Sequence, residues 1–509
     1  MSFCIALLAC FAAPPDSASK DGLDFVPPPL GLNLSGVKDY ASEYPFVDTF
    51  RSARTWVSQR DGGRWGSGPE LTLRPDGYPA TLAAGTYATA ILMNAPGFPT
   101  GRYVLRYDGQ GELDLRGDVR VENRTPGRWE VVVGGTPNLL LHLRSTNPSD
   151  PLRNIRFWMP GHEEAGEAGT VLFAPAFLAR CRRFSCLRFM DWMETNNSEI
   201  RTWADRPKVD DYSWSSHGVP VEVLCELANE TNTDGWLCVP HLADDDYVRR
   251  FAQLVYDRLD PGLTAYVEHS NEVWNGQFAQ AKYARGRGRE LRLADNDYGA
   301  QLLYHAQRSG EIAQIWEHVL GDDRVVAVYA AQSANPWTTK QMLSHRTASR
   351  FAEAVAIAPY FGGHLGDPKT AGANAKLSVA EVARECRKAI AENAPKIREH
   401  AAMAEAAGCR LIAYEGGQHL VGHGGAENDE SLMELFHRTN RDPVMADLYR
   451  EAIESWAKAG GELWVVFSSV ATPSKWGSWG MLEYDGQPSD DAPKWRAIDA
   501  MLDEQPPKD

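Results

Sequence analysis

Residues 263–275 read LTAYVEHSNEVWN, and residues 410–417 read RLIAYEGG. Each is a short apolar run that ends in acidic and turn-forming residues, the pattern of a buried strand running into a loop. Working outward from these two, similar runs recur at 186–191 (CLRFMD), 236–241 (WLCVPH), 325–330 (VVAVYA), 355–360 (VAIAPY) and 462–467 (ELWVVF). Helical patterns separate them, at 246–259, 298–320, 379–407 and 442–459. Strands alternating with helices imply parallel pairing through crossover helices. Seven such strands predict an α/β fold, a (β/α)8 TIM barrel, with one strand still to place.

That strand is expected at 30–35, LGLNLS, followed by a helical stretch over 45–57. Between 62 and 160 the rhythm changes. Residues 103–135 and the run LLLHLRS at 139–145 alternate apolar and polar, with turn residues at short intervals. This predicts an antiparallel β-sandwich. Two arrangements fit. Either the sandwich (62–160) is inserted between a first barrel strand and helix (23–61) and the rest of the barrel (161–505), or it forms a plain N-terminal unit over 28–160. In the second case 154–159 would be the first barrel strand.

The chain has 509 residues, more than one core normally fills, so two packed units are expected. Its net charge of −16 argues against a nucleic-acid partner, which would call for a basic stripe. Residues 3–13, FCIALLACFAA, have the length of a signal-peptide core and are too short to span a bilayer. Leu7-Leu8-Ala9-Cys10 also resembles a bacterial lipoprotein box, in which Cys10 would carry the lipid. A secreted or cell-envelope location, with residues 1–22 as the signal, is the expectation. Cys181, Cys186, Cys225, Cys238, Cys386 and Cys409 show no C-x-x-C spacing, which speaks against zinc. They are open to either reading, disulfides or buried thiols. Motifs for nucleotide binding or a nucleophilic serine elbow are missing, and no cofactor is expected.

Barrel active sites lie at the C-terminal ends of the strands. There the sequence puts Asn271-Glu272 after one strand and Glu415 at the end of another. Two carboxyl groups on different strands are what glycosidic cleavage needs, one to protonate the leaving oxygen and one to attack or activate water. A second Asn-Glu pair, Asn229-Glu230, precedes a strand and so belongs at the opposite end of the barrel. His241 ends a strand and is placed beside the cleft. The loops DYSWSSHG (211–218) and PSKWGSWG (473–480) offer Trp214, His217, Trp476 and Trp479, and Trp274 follows Glu272. Aromatic rings in such loops are candidate sugar platforms. His419 and His423 follow Glu415 in a glycine-rich loop, where a metal site is not expected.

On these motifs, VEHSNEVWN at one strand end and YEGG three units later, residues 160–505 resemble the retaining glycoside hydrolases of clan A. The resemblance implies Glu272 as acid/base, Glu415 as nucleophile and Asn271 as partner of the sugar 2-OH. It implies Tyr360 as a hydrogen-bond donor to the nucleophile, with Arg188 holding that carboxylate ionised. The expected substrate is a neutral or weakly charged β-linked polysaccharide or oligosaccharide, a glucan or related plant or algal polymer before an α-arabinofuranoside. The rival reading is a non-catalytic carbohydrate-binding envelope protein on the same scaffold. The sandwich resembles no family.

Overall fold

The computed structural model describes residues 25–506. The segment expected to direct export, residues 1–22 with Cys10, lies outside them. Eight parallel strands close into a barrel. They are β1 (Leu30–Asn33), β2 (Cys186–Arg188), β3 (Asp234–Val239), β4 (Ala265–His269), β5 (Val325–Ala330), β6 (Ala354–Ile357), β7 (Arg410–Gly416) and β8 (Leu463–Val466). Closure is made by β1, which pairs in parallel with β2 (Leu32 opposite Leu187) and with β8 (Leu32 opposite Val466). Its four residues are all buried, as a strand covered on both faces must be.

Between β1 and β2 the chain forms two four-stranded antiparallel sheets. One orders the strands Val57–Arg60, Thr86–Met93, Leu139–Thr146 and Gly111–Arg116. The other orders Arg153–Trp158, Gly101–Asp108, Arg128–Val133 and Val119–Thr125. Arg153–Trp158 pairs antiparallel with Gly101–Asp108, so it belongs to the sandwich and not to the barrel.

The helix expected over 45–57 is not formed. Only a single 3₁₀ turn, Thr49–Ser52, appears there, and Val57 already begins a sandwich strand. Residues 42–53 are buried on every side, leaving no polar face for a helix to turn to water. Their backbone is used elsewhere: Val47 donates to Leu172 O (3.0 Å) and accepts from Met159 N (2.8 Å). The segment is a wedge between the two units. Phe46 packs against Phe173, Trp192 and Trp214 there.

No disulfide joins the described cysteines, and all six are buried. Among the described residues no helix is long and apolar enough to cross a membrane.

Candidate active site

The site is built around Arg188, the last residue of β2, whose side chain has no exposure. A buried guanidinium is tolerated only when its donors and charge are matched. Here they are. Nε and Nη2 donate to Glu268 Oε2 (3.2 and 2.8 Å), Nη1 to Glu415 Oε1 (2.9 Å) and Asn33 Oδ1 (3.1 Å), and Nη2 also to Asn271 Oδ1 (2.8 Å). Trp236 and Tyr414 lie within 5.4 and 5.1 Å of its carbon, adding cation–π contact. One arginine thus ties β1, β2, β4 and β7 together.

Glu415 ends the apolar part of β7 and is buried. Each of its oxygens has a donor: Arg188 on Oε1, and the Tyr360 hydroxyl on Oε2 (2.9 Å). Burial raises this carboxyl above the usual range; Arg188 pulls it down, the Glu272 charge pushes it up, and Tyr360 pulls it down. The pull of Arg188 is incomplete because Glu268 takes two of its N–H groups.

Glu272 reaches the same region from the loop after β4. Its carboxyl accepts from the Tyr414 hydroxyl (2.9 Å) and from Asn275 Nδ2 (2.9 Å), and burial raises its pKa. Tyr414 and Glu415 are neighbours on β7, so adjacent side chains of one strand serve the two carboxyl groups. The arginine bonds Glu415 and not Glu272. Two acids treated so differently are set up to differ, the arginine favouring the ionised form of Glu415.

The loop that carries Glu272 is strained. Ser270 and Glu272 sit at φ of 59° and 44°, in the left-handed region that non-glycine residues seldom adopt. Such a bend persists only where its surroundings over-determine it. Ser270 N donates to Val239 O (2.8 Å), and two fully buried glutamines hold the carbonyls on either side of Glu272. Gln280 reaches Asn271 O (2.8 Å) and Gln301 reaches Val273 O (2.7 Å). The orientation of Asn271 is fixed as well: its oxygen takes Arg188, and its Nδ2 donates to Asn196 Oδ1 (3.1 Å).

The structure brings Arg188, Asn271, Glu272, Tyr360 and Glu415 together. Trp479 packs on Tyr360 (5.9 Å between ring centres) and His419 (5.2 Å), and Trp476 stands on the same loop, 63 % exposed. His217 is exposed on the rim of a neighbouring cavity.

Other candidates are placed differently. Trp214 is only 2 % exposed, packed on Phe46 and beneath Arg51 (4.5 Å), so it joins barrel to sandwich and offers no open face to a sugar. Trp274 is half-buried against the core. His241 is buried edge-on to Tyr283 (5.6 Å), where desolvation and then Arg201 push its ring down to about 4. Asn229-Glu230 lies in the helix Val221–Thr231 that leads into β3. Among the described residues no group of three or more His, Cys, Asp or Glu is arranged to hold a metal ion.

Sequence reasoning overlooked Glu268, Tyr414, Asn33 and the two glutamines. Glu268 had a signal: a carboxyl inside an otherwise apolar strand needs a buried cation, and Arg188 was available.

No protein-family model matches the chain, and no curated protein matches it. Among solved structures it is similar to a family 51 arabinofuranosidase from Xanthomonas axonopodis pv. citri, at 11 % identity over 58 % of this chain and 60 % of that one, with a TM-score of 0.40. It is also similar to the exo-β-1,4-mannosidase Op5Man5 from Opitutaceae bacterium strain TAV5, at 10 % identity over 68 % and 56 %, with a TM-score of 0.38. The match therefore spans less than two thirds of either of these proteins. What the strand pairing and the side chains define is a closed parallel barrel with two unlike carboxyl groups at the C-terminal ends of β4 and β7.

Proposed function

We propose that this chain is a retaining glycoside hydrolase acting on β-linked glycans, with Glu272 as acid/base and Glu415 as nucleophile. The observation that carries the reading is the asymmetry of the pair. Glu415 is bonded by a cation and a tyrosine, while Glu272 has only neutral donors. In the first step a Glu415 oxygen bonds to the anomeric carbon as the glycosidic C–O bond breaks. The leaving oxygen takes the proton of Glu272. In the second, Glu272 removes a proton from water, whose oxygen displaces Glu415 and regenerates both groups. Asn271 supports the charge built at the ring through its amide N–H.

Activity then needs Glu415 ionised and Glu272 protonated. It falls on the acid side as Glu415 gains a proton and on the alkaline side as Glu272 loses one, giving a bell-shaped profile that belongs to the pair. The test is hydrolysis of a panel of β-glycans by the wild type, Glu272→Gln and Glu415→Gln, with NMR of the first-formed anomer. Each variant should fold and lose orders of magnitude in rate, and the wild-type product should keep its configuration. Near-normal turnover by either variant removes that residue from the mechanism.

A further inference from the structure

Two cavities of about 590 and 510 Å³ lie on the β1, β2 and β8 side of the barrel mouth and share Glu194 and Asn196 in their walls. Two contacts tie them to the catalytic pair. Asn196 accepts from Asn271, and Trp479 packs on the tyrosine that bonds Glu415. Two large aromatic side chains in the wall of the larger cavity are exposed, Tyr40 (57 %) and Trp476 (63 %).

Both are held in place. The loop of Tyr40 is anchored by Asp39, which takes a two-pronged bond from Arg54 (both 2.9 Å), and the Arg54 guanidinium lies 6.0 Å from the Tyr40 ring. The loop of Trp476 is anchored through Ser478 O, which accepts from Gln418 (2.8 Å) and from the buried Lys494. Trp479 Nε1 also donates to Trp476 O (2.8 Å). Rings fixed before a ligand arrives lose little freedom on binding it.

The charge of the walls selects the ligand. Lys38 is the one Lys or Arg lining either cavity, and it is engaged by Glu194 (2.6 Å) and the Ser215 carbonyl. Asp191, Glu199 and Asp205 line the same walls. Lys475, over the Trp476 ring (4.8 Å), is bonded to Asn428 Oδ1 (2.9 Å), and the excess of acid over base in the walls disfavours a sulfated or uronate chain.

We infer that the two cavities form one groove for a neutral glycan chain several sugars long, with Tyr40 and Trp476 as stacking rings in its wall. This deepens the glycosidase reading and rests on it. A single cavity for a drug-sized ligand is about 300–1,000 Å³, so the pair together has room for more than one ring. Covering an exposed aromatic side chain with an apolar sugar face is worth enough to change affinity about tenfold or more.

The experiment titrates the inactive Glu272→Gln protein with cellopentaose, mannopentaose and tetragalacturonate, followed by tryptophan fluorescence. It is repeated with Tyr40→Ala and Trp476→Ala added, after thermal melting has shown that both proteins are folded. A neutral pentasaccharide should bind, tetragalacturonate should not, and the added substitutions should weaken the pentasaccharide about tenfold or more. Failure of both neutral chains to bind, preference for the uronate, or unchanged affinity in the substituted protein would overturn the groove. Neutral-chain binding without hydrolysis by the wild type would instead overturn the glycosidase reading and leave the groove standing.

Discussion

Two arginines are buried near the barrel mouth, and each binds two carboxylates. Arg180, in the helix Pro175–Cys181, donates to Glu43 (2.7 Å) and Ser469 Oγ (3.1 Å) and pairs with Asp485 (3.0 Å). Arg188, on β2, holds Glu268 and Glu415. Burial raises Glu43 as it raises Glu415. A buried ion pair with a perturbed acid is therefore common to both places, and structural networks produce it as readily as catalytic ones. The difference lies in what surrounds them. The Arg180 cluster joins the loops after β1 and β8 to a helix, and Asp485 is further occupied by Tyr44 N (2.7 Å). The Arg188 cluster adds Glu272, a carboxyl its arginine does not bond, and it borders a groove.

The sharpest way to break this distinction is to remove each arginine. Arg188→Met should cost about 10²–10³ in kcat/KM, the loss expected when a preorganised donor to the reacting group disappears. Arg180→Met should leave kcat/KM little changed while lowering stability by about 3–5 kcal/mol in urea unfolding, because it strands buried carboxylates. Equal losses of activity would erase the contrast.

Neutralising the partner acids probes it more gently. With Glu268→Gln, the charge of Arg188 falls more fully on Glu415. That lowers the pH at which Glu415 ionises, so the acid limb of the kcat/KM profile should move to lower pH, on the order of one unit. Glu43→Gln should not move it. A limb that stays put in Glu268→Gln would show that Glu268 does not act through Arg188.

The smallest effect is expected from Tyr360→Phe, which removes one donor from Glu415. Its loss disfavours the anion, so the acid limb should shift to higher pH, with kcat/KM down about tenfold at neutral pH. A shift in the opposite direction would contradict the hydrogen bond as drawn.

The barrel was legible because its signal repeats: runs such as VVAVYA and RLIAYE recur between amphipathic helices, and each is read independently of the others. The segment over 45–57 defeated the same reasoning, since its apolar residues answer to two units at once and not to a helical face. At the site, residues at strand ends could be named from position alone, which is how Glu272 and Glu415 were reached, while Arg188 and Tyr360 came from the family resemblance. Glu268, Tyr414 and Gln280 act by touching residues distant in the chain, and nothing periodic marks them. Trp214 and Trp476 show the limit from the other side. Both sit in polar loops with similar composition, yet the 42–53 segment covers the first and leaves the second bare.

The central claim is that Glu415 forms the covalent bond to sugar. Wild-type protein incubated with 2,4-dinitrophenyl 2-deoxy-2-fluoro-β-glycosides of the gluco and manno series, then digested and mapped by mass spectrometry, tests it most directly. The account predicts a glycosyl adduct on the peptide carrying Glu415, absent in Glu415→Gln and still formed in Glu272→Gln, because dinitrophenolate leaves without a proton. An adduct on another residue, or turnover with inverted configuration and no adduct, would contradict it.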